Sequence, residues 1–173
     1  MSLSLYEVCV PTYLQMLGAV SGFLERGRAH AIENGTDPDT YLSARLASDM
    51  FPLSLQAILI EHHSLGTINM LKTGKGGIPT KTPPASYADL VKLIADARQT
   101  VAGFSPDEID ALDNSDVVFE VGQNKLPFTS KNFLLSFGLP NFYFHVTTAY
   151  DILRAQGAPL GKIDYLGQLR MKA

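Results

Sequence analysis

Residues 129–157 read TSKNFLLSFGLPNFYFHVTTAYDILRAQG, and this stretch decides the fold. Apolar side chains occupy nearly every side of it, so a helix formed here has no broad face suited to water and belongs at the centre of a helical core. Gly157 and Pro159 supply its stop. Asn141 and His145 lie one helical turn apart within it and project together. Such a polar pair must find partners, because an unpaired buried polar group costs roughly 1–3 kcal/mol.

Working outward, the residues before this helix change to a period of two. Val117, Phe119 and Val121 alternate with Asp116 and Glu120, Gly122 to Asn124 supply a turn, and Lys125 to Phe128 give a second short strand ending near Pro127. One small hairpin therefore introduces the last helix. Further upstream, Ser86 with Asp89 opens a helix over 86–103 with an apolar face of Leu90, Leu93, Ile94, Ala97 and Val101, and Ser105-Pro106 opens a shorter one ending near Asp113. The segment TGKGGIPTKTPP, 73–84, is dense in glycine and proline. It lacks the spacing and the terminal Lys-Ser/Thr of a phosphate loop and reads as a flexible crossover.

The N-terminal half is helical as well. Tyr6, Val10, Tyr13, Leu14, Leu17, Val20 and Leu24 recur at helical spacing over 4–34, with Pro11 predicting a kink or a late start and Asn34-Gly35 a stop. Asp37-Pro38 opens a helix over 38–47, and a longer one spans 51–72 beyond Pro52. Four long helices, short connections apart from one crossover and a hairpin too small to form its own layer predict an all-α four-helix bundle with a small β-hairpin before the last helix. No repeats interrupt it, and 1–173 reads as a single domain.

Composition narrows the function classes. A chain of 173 residues buries roughly 70% of its unfolded surface and needs no disulfide or structural metal as a staple. With 46% hydrophobic and 18% charged residues and a net charge of -3, it is globular and has no basic face for nucleic acid or anionic membrane. Cys9 is the only cysteine and sits between Val8 and Val10, which suits a buried small hydrophobe. The start, MSLSLYEVC, has neither a basic beginning nor a long apolar run, and no uncharged stretch of about 18 residues is present to span a bilayer. A cytoplasmic protein with no membrane and no nucleic-acid partner is expected.

Sites in helical bundles are built from side chains of facing helices that point inward. His63 shares a face with Gln56, Ile60, Thr67 and Met70, with Gly66 removing bulk beside it; His145 shares one with Gly138, Asn141, Thr148 and Ile152. A histidine from the second long helix with an Asn/His pair from the last could ligate a divalent cation such as Zn or Ni, because neutral imidazole binds both. The plainer reading is a satisfied core network with no ion. His62, on the face of Leu55, Ile58 and Leu65, reads as structural or interfacial. His30, beside Arg26 and Arg28, suits helix capping, with a place at a site rim as the alternative. Asp49, just before Pro52, caps the next helix or reaches into a cleft. No Gly-x-Ser-x-Gly elbow and no His-Glu-x-x-His run is present.

The segments SLYEVCVPTYLQML, LASDMFPL, EHHSLG and LPNFYFHVTTAYDILRAQGAPLGKIDYLG resemble a family of uncharacterised bacterial domains of unknown function in the DinB/YfiT-like superfamily of metalloenzymes. The resemblance covers nearly the whole chain. It implies a four-helix bundle, usually dimeric, with a metal held by one histidine of the second helix and a His-x-x-x-His pair of the fourth. Carried over by position, the ligands fall on His63, Asn141 and His145. Asn141 departs from the pattern, and an amide oxygen is a poor ligand for Zn or Ni beside imidazole, so the metal is weakened or absent. The resemblance also implies a thiol-dependent transferase or isomerase using bacillithiol, mycothiol or glutathione. The reading adopted is a metal-dependent small-molecule hydrolase or thiol transferase, with Asp49 or His30 as general base at the rim. The alternative is a non-catalytic helical homodimer binding a small apolar ligand or a partner protein in the same cleft.

Overall fold

The computed structural model describes residues 3–172. Helix α1 (Leu5–Glu33) begins at a reciprocal cap: the Ser4 hydroxyl accepts from the Glu7 N–H while the Glu7 carboxylate accepts from the Ser4 N–H. It runs through Pro11 and does not start late. A six-residue 3-10 turn, Pro38–Ser43, stands where the spacing predicts a helix over 38–47. Ala44 is already extended, and the turn serves as a connector whose Asp39 carboxylate accepts from the Tyr87 N–H at 2.7 Å.

The second long helix, α2, comprises Leu53–Glu61, one π-helical turn His62–Gly66, and Thr67–Thr73. Gly74 ends it in the left-handed conformation, and strand β1 (Lys75–Gly77) follows. Helices α3 (Tyr87–Ala102) and α4 (Pro106–Asp110) start at Ser86 and Ser105, whose hydroxyls accept from the N–H three residues on. Strands β2 (Asp116–Val121) and β3 (Asn124–Thr129) form the expected hairpin. The last long helix, α5, comprises Ser130–Phe133, a second π-turn Leu134–Gly138, and Leu139–Ala155; the short α6 is Lys162–Leu166.

The four long helices pack as two pairs, α1 on α3 and α2 on α5, with α2 also against α3 and α1 against α5. Their shared core holds the fully buried rings of Tyr13, Phe23, Tyr87, Phe133 and Phe142, and the Tyr87 hydroxyl donates to the Leu24 carbonyl at 2.8 Å. Cys9 is buried there, with its thiol pushed up to about 12 by desolvation, as befits an inert core residue. Among the described residues, no helix is long and apolar enough to cross a membrane.

An all-α description is therefore amended. The chain is mostly helical and carries a three-stranded mixed sheet in the order β1-β2-β3, with β1 parallel and β3 antiparallel to β2. The glycine-rich segment read as a flexible crossover supplies its third strand. Backbone alone explains that pairing: a Cβ on Gly77 would lie 2.8 Å from the Glu120 carbonyl oxygen, so the strand approaches only without a side chain.

Candidate histidine site

Both π-turns fall where α2 and α5 meet. A π-turn inserts a residue into the helical ladder, which re-aims side chains and removes some carbonyls from regular hydrogen bonding. In α2 those carbonyls are met by side chains: Thr67 Oγ1 donates to the His63 carbonyl at 3.1 Å, and Ser64 Oγ donates to that of Ile60 at 2.7 Å. In α5 the turn ends at Gly138, where an added Cβ would lie 3.1 Å from the Thr67 methyl carbon. The absent side chain lets the two helices close at this level.

That closure brings His63 and His145 together. Their rings lie 5.5 Å apart between centroids with planes 11° from parallel, and both residues are buried. His62 joins them, its ring 5.0 Å from that of His63 and nearly perpendicular. Phe137 and Phe144 wall the cluster, edge-on to His63 and His145 respectively. Burial disfavours the charged imidazolium, and neighbouring histidines add to the effect. His63 is pushed down to about 3 and His145 to about 4, while His62 is lowered mainly by desolvation. At neutral pH all three rings are neutral, the state in which imidazole offers a lone pair.

Gln56 fixes the proton on His145. Its Oε1 lies 2.7 Å from His145 Nδ1, and its own Nε2 donates to the Phe51 carbonyl at 3.0 Å. The amide oxygen is thereby turned to the ring, so Nδ1 carries the hydrogen and Nε2 keeps its lone pair. Gln56 stood on the His63 face in the sequence, but nothing there gave it a role; the signal was a polar residue within the apolar run LSLQAILI. His62, read as structural, also proves to belong to the cluster.

Nδ1 of His63 and Nε2 of His62 are buried without a hydrogen-bond partner. Asn141 sits one turn before His145, half-buried, with its Nδ2 donating to the Phe137 carbonyl at 2.7 Å. That bond engages the nitrogen and leaves Oδ1 as the end with ligating capacity. Glu61, beside His62, is buried with its carboxylate 2.6 Å from Lys81 Nζ.

The remaining candidates are placed elsewhere. His30 lies at the C-terminal end of α1, where a Cβ on Gly157 would come within 3.2 Å of its Nε2. The residues of α5 from 145 to 155 rise roughly 15 Å, so His30 is remote from the cluster. Asp49 is exposed in the bend before α2, and it does not cap that helix, whose N-cap is Pro52 without a side-chain bond. Among the described residues, no group of three or more His, Cys, Asp or Glu side chains is arranged to hold a metal ion. The residues that could hold a metal ion here are two buried imidazoles, His63 and His145, with the amide oxygen of Asn141. The orphaned His63 nitrogen and the fixed His145 tautomer suit such an ion, and the amide suits it less.

Helices in this arrangement with a small sheet and a buried histidine pair between the second and last long helices define a DinB-like protein. Its structure is similar to that of a DinB family member protein from Shewanella denitrificans, with a TM-score of 0.82 and 29% identity over 98% of this chain and 95% of that one. The chain matches the family described as Domain of unknown function (DUF1993) over residues 5–166, and it belongs to that family. No curated protein matches it significantly.

Proposed function

We propose that this chain is a single-domain, DinB-like four-helix bundle whose His63, His145 and Asn141 form an altered divalent-metal centre. The centre acts on a small molecule as a hydrolase or a thiol-dependent transferase. The observation that carries this reading is the Gln56–His145 bond. A histidine that ligates through Nε2 is commonly held by an acceptor at Nδ1, and here that acceptor is itself anchored by the Phe51 carbonyl. A bound ion would supply Lewis-acid activation of a thiol or of water. The protein's own groups contribute orientation: Gln56 fixes the His145 ring, and Phe137 packs edge-on against His63 within the bundle.

A second reading, a non-catalytic homodimer binding a small apolar ligand or partner, is favoured by exposed Leu135, Tyr143 and Phe144 on α5 and Phe51 before α2. Elemental mass spectrometry on wild type and His145→Ala after loading with Zn or Ni separates the two. A stoichiometric ion in the wild type, lost in the variant, supports the metal centre. A wild type free of metal under every loading condition refutes it in favour of the binding dimer.

A further inference from the structure

On another face of the molecule, the tail that follows α6 lies back along α1. Gly167 makes this possible: its φ is +61°, and an added Cβ would sit 3.0 Å from the Ala19 methyl and 3.3 Å from the Gln15 carbonyl oxygen. Gln15 completes the anchor by donating from Nε2 to the Leu166 carbonyl at 3.0 Å. Between α1, the tail and α3 a cleft of about 600 Å³ remains, lined by Pro11, Leu14, Gln15, Gly18, Arg98 and residues 167–171. That volume falls within the range of small-molecule sites.

The charge in this cleft is one-sided. Among the described residues, Arg98 and Arg170 are its only ionisable lining residues, and neither forms an ion pair or a side-chain hydrogen bond with another described residue. Lacking a carboxylate does not by itself set them apart, since Arg45, Lys75 and Lys162 form no ion pair among the described residues while Arg26, Lys92 and Lys131 do; what sets them apart is that they line one cleft. Arg98 is also placed. Its Nε, Cζ and Nη2 would lie 3.5, 3.9 and 3.9 Å from a Cβ on Gly18, so the guanidinium lies along the glycine-bared side of α1 and keeps its donors for something else. Guanidinium groups present paired N–H donors matched to the oxygens of carboxylate and phosphate, and two of them in one cleft favour an anion over a neutral ligand.

We propose that this cleft is a binding site for a small molecule bearing a phosphate or carboxylate group, recognised by Arg98 and Arg170. It is distinct from the histidine site: its lining residues come from α1, α3 and the tail, none of them is a residue of that site, and it needs no metal.

The test is titration of the full chain with inorganic phosphate and, separately, citrate, at constant ionic strength, following the arginine Nε–H resonances by heteronuclear NMR. Arg98→Gln, Arg170→Gln and, as a surface-cation control, Lys92→Gln are titrated in parallel. All three positions are exposed, so folding is not at stake. Saturable shifts at both arginines, with affinity reduced about tenfold in either arginine variant and unchanged in the control, support the site. The anion giving the tighter constant names the headgroup. Absence of saturation with both anions at millimolar concentration overturns the proposal, as does equal weakening in the Lys92 control, which would mean charge screening alone.

Discussion

His145 donates from Nδ1 to Oε1 of Gln56 at 2.7 Å, and the two residues come from different helices. The bond therefore ties α5 to α2 at the level of both π-turns, and it sets which ring nitrogen of His145 remains free. Gln56→Leu keeps the apolar contacts but strands the imidazole N–H, and it should destabilise the protein by roughly 1–3 kcal/mol in urea unfolding. Nitrogen NMR should then show mixed tautomers of His145 where the wild type shows Nδ1–H. Gln56→Glu puts a carboxylate in the same place and should raise the pKa of His145. An unshifted titration in that variant would mean that the bond does not persist in solution.

Acid should weaken the metal-free fold in a defined window. His63 and His145 titrate near 3 and 4 when folded, against a reference value of 6.5. Below 6.5 the unfolded chain binds protons that the native chain refuses, so the stability contributed by these rings is complete above 6.5 and declines as pH falls toward 4 and then 3. The slope reaches about 1.4 kcal/mol per pH unit for each histidine. His62 is the ionisable neighbour that acts on both rings, and Glu61 and Lys81 act on His62. His63→Phe, which breaks no side-chain hydrogen bond at Nδ1, should remove about half of that slope in denaturant midpoints measured from neutral pH to pH 4. A wild-type stability that stays flat over that range would place the imidazoles in water.

Among the described residues, Glu61 is the one buried carboxylate, beside the cluster, and Lys81, half-exposed on the loop between β1 and α3, is its partner at 2.6 Å. Removing the cation leaves a buried charge without its neutralising group. Lys81→Ala should cost about 1–3 kcal/mol and should speed amide exchange in 78–86, because the ion pair fastens that loop to α2. An equal loss in Lys81→Met would assign the effect to charge; retention of stability in that variant would assign it to the buried stem.

The helices and their starts were legible because their causes are local: apolar spacing at 3.6 residues, and Ser4-x-x-Glu7, Ser86-x-x-Asp89 and Ser105-x-x-Glu108 as caps. The hairpin was legible because Val117, Phe119 and Val121 alternate. Strand β1 was not, since Lys75-Gly76-Gly77 has no strand propensity and is recruited by the exposed edge of β2 through backbone bonds. The π-turns were hidden for a related reason. An inserted residue shifts the helical phase without changing composition, so His62, assigned to another face at a regular 100° step, was read apart from His63. His63, Asn141 and His145 could be placed because they sit on two predicted core-facing helices. The helper Gln56 could not, because its role depends on the register between those helices, which no local pattern encodes.

Asn141 gives the sharpest prediction about metal. Its amide nitrogen is engaged by the Phe137 carbonyl, so only Oδ1 remains to join the two imidazoles. Amide oxygen is a hard, neutral donor, and Zn and Ni favour imidazole at such a position. Asn141→His would present a second ring one turn from His145 and complete a set of three nitrogens. Affinity for Zn or Ni should rise by at least tenfold, read in competition with a chromophoric chelator. The fold should be little disturbed, since residue 141 is only half-buried. Chelation should return the variant to wild-type stability, because an ion bound only by the native state stabilises it in proportion to the logarithm of its free concentration. Unchanged affinity in Asn141→His would mean that the His63 and His145 lone pairs do not converge on a common point. Their near-parallel rings would then be a packed pair whose work is to hold α2 against α5.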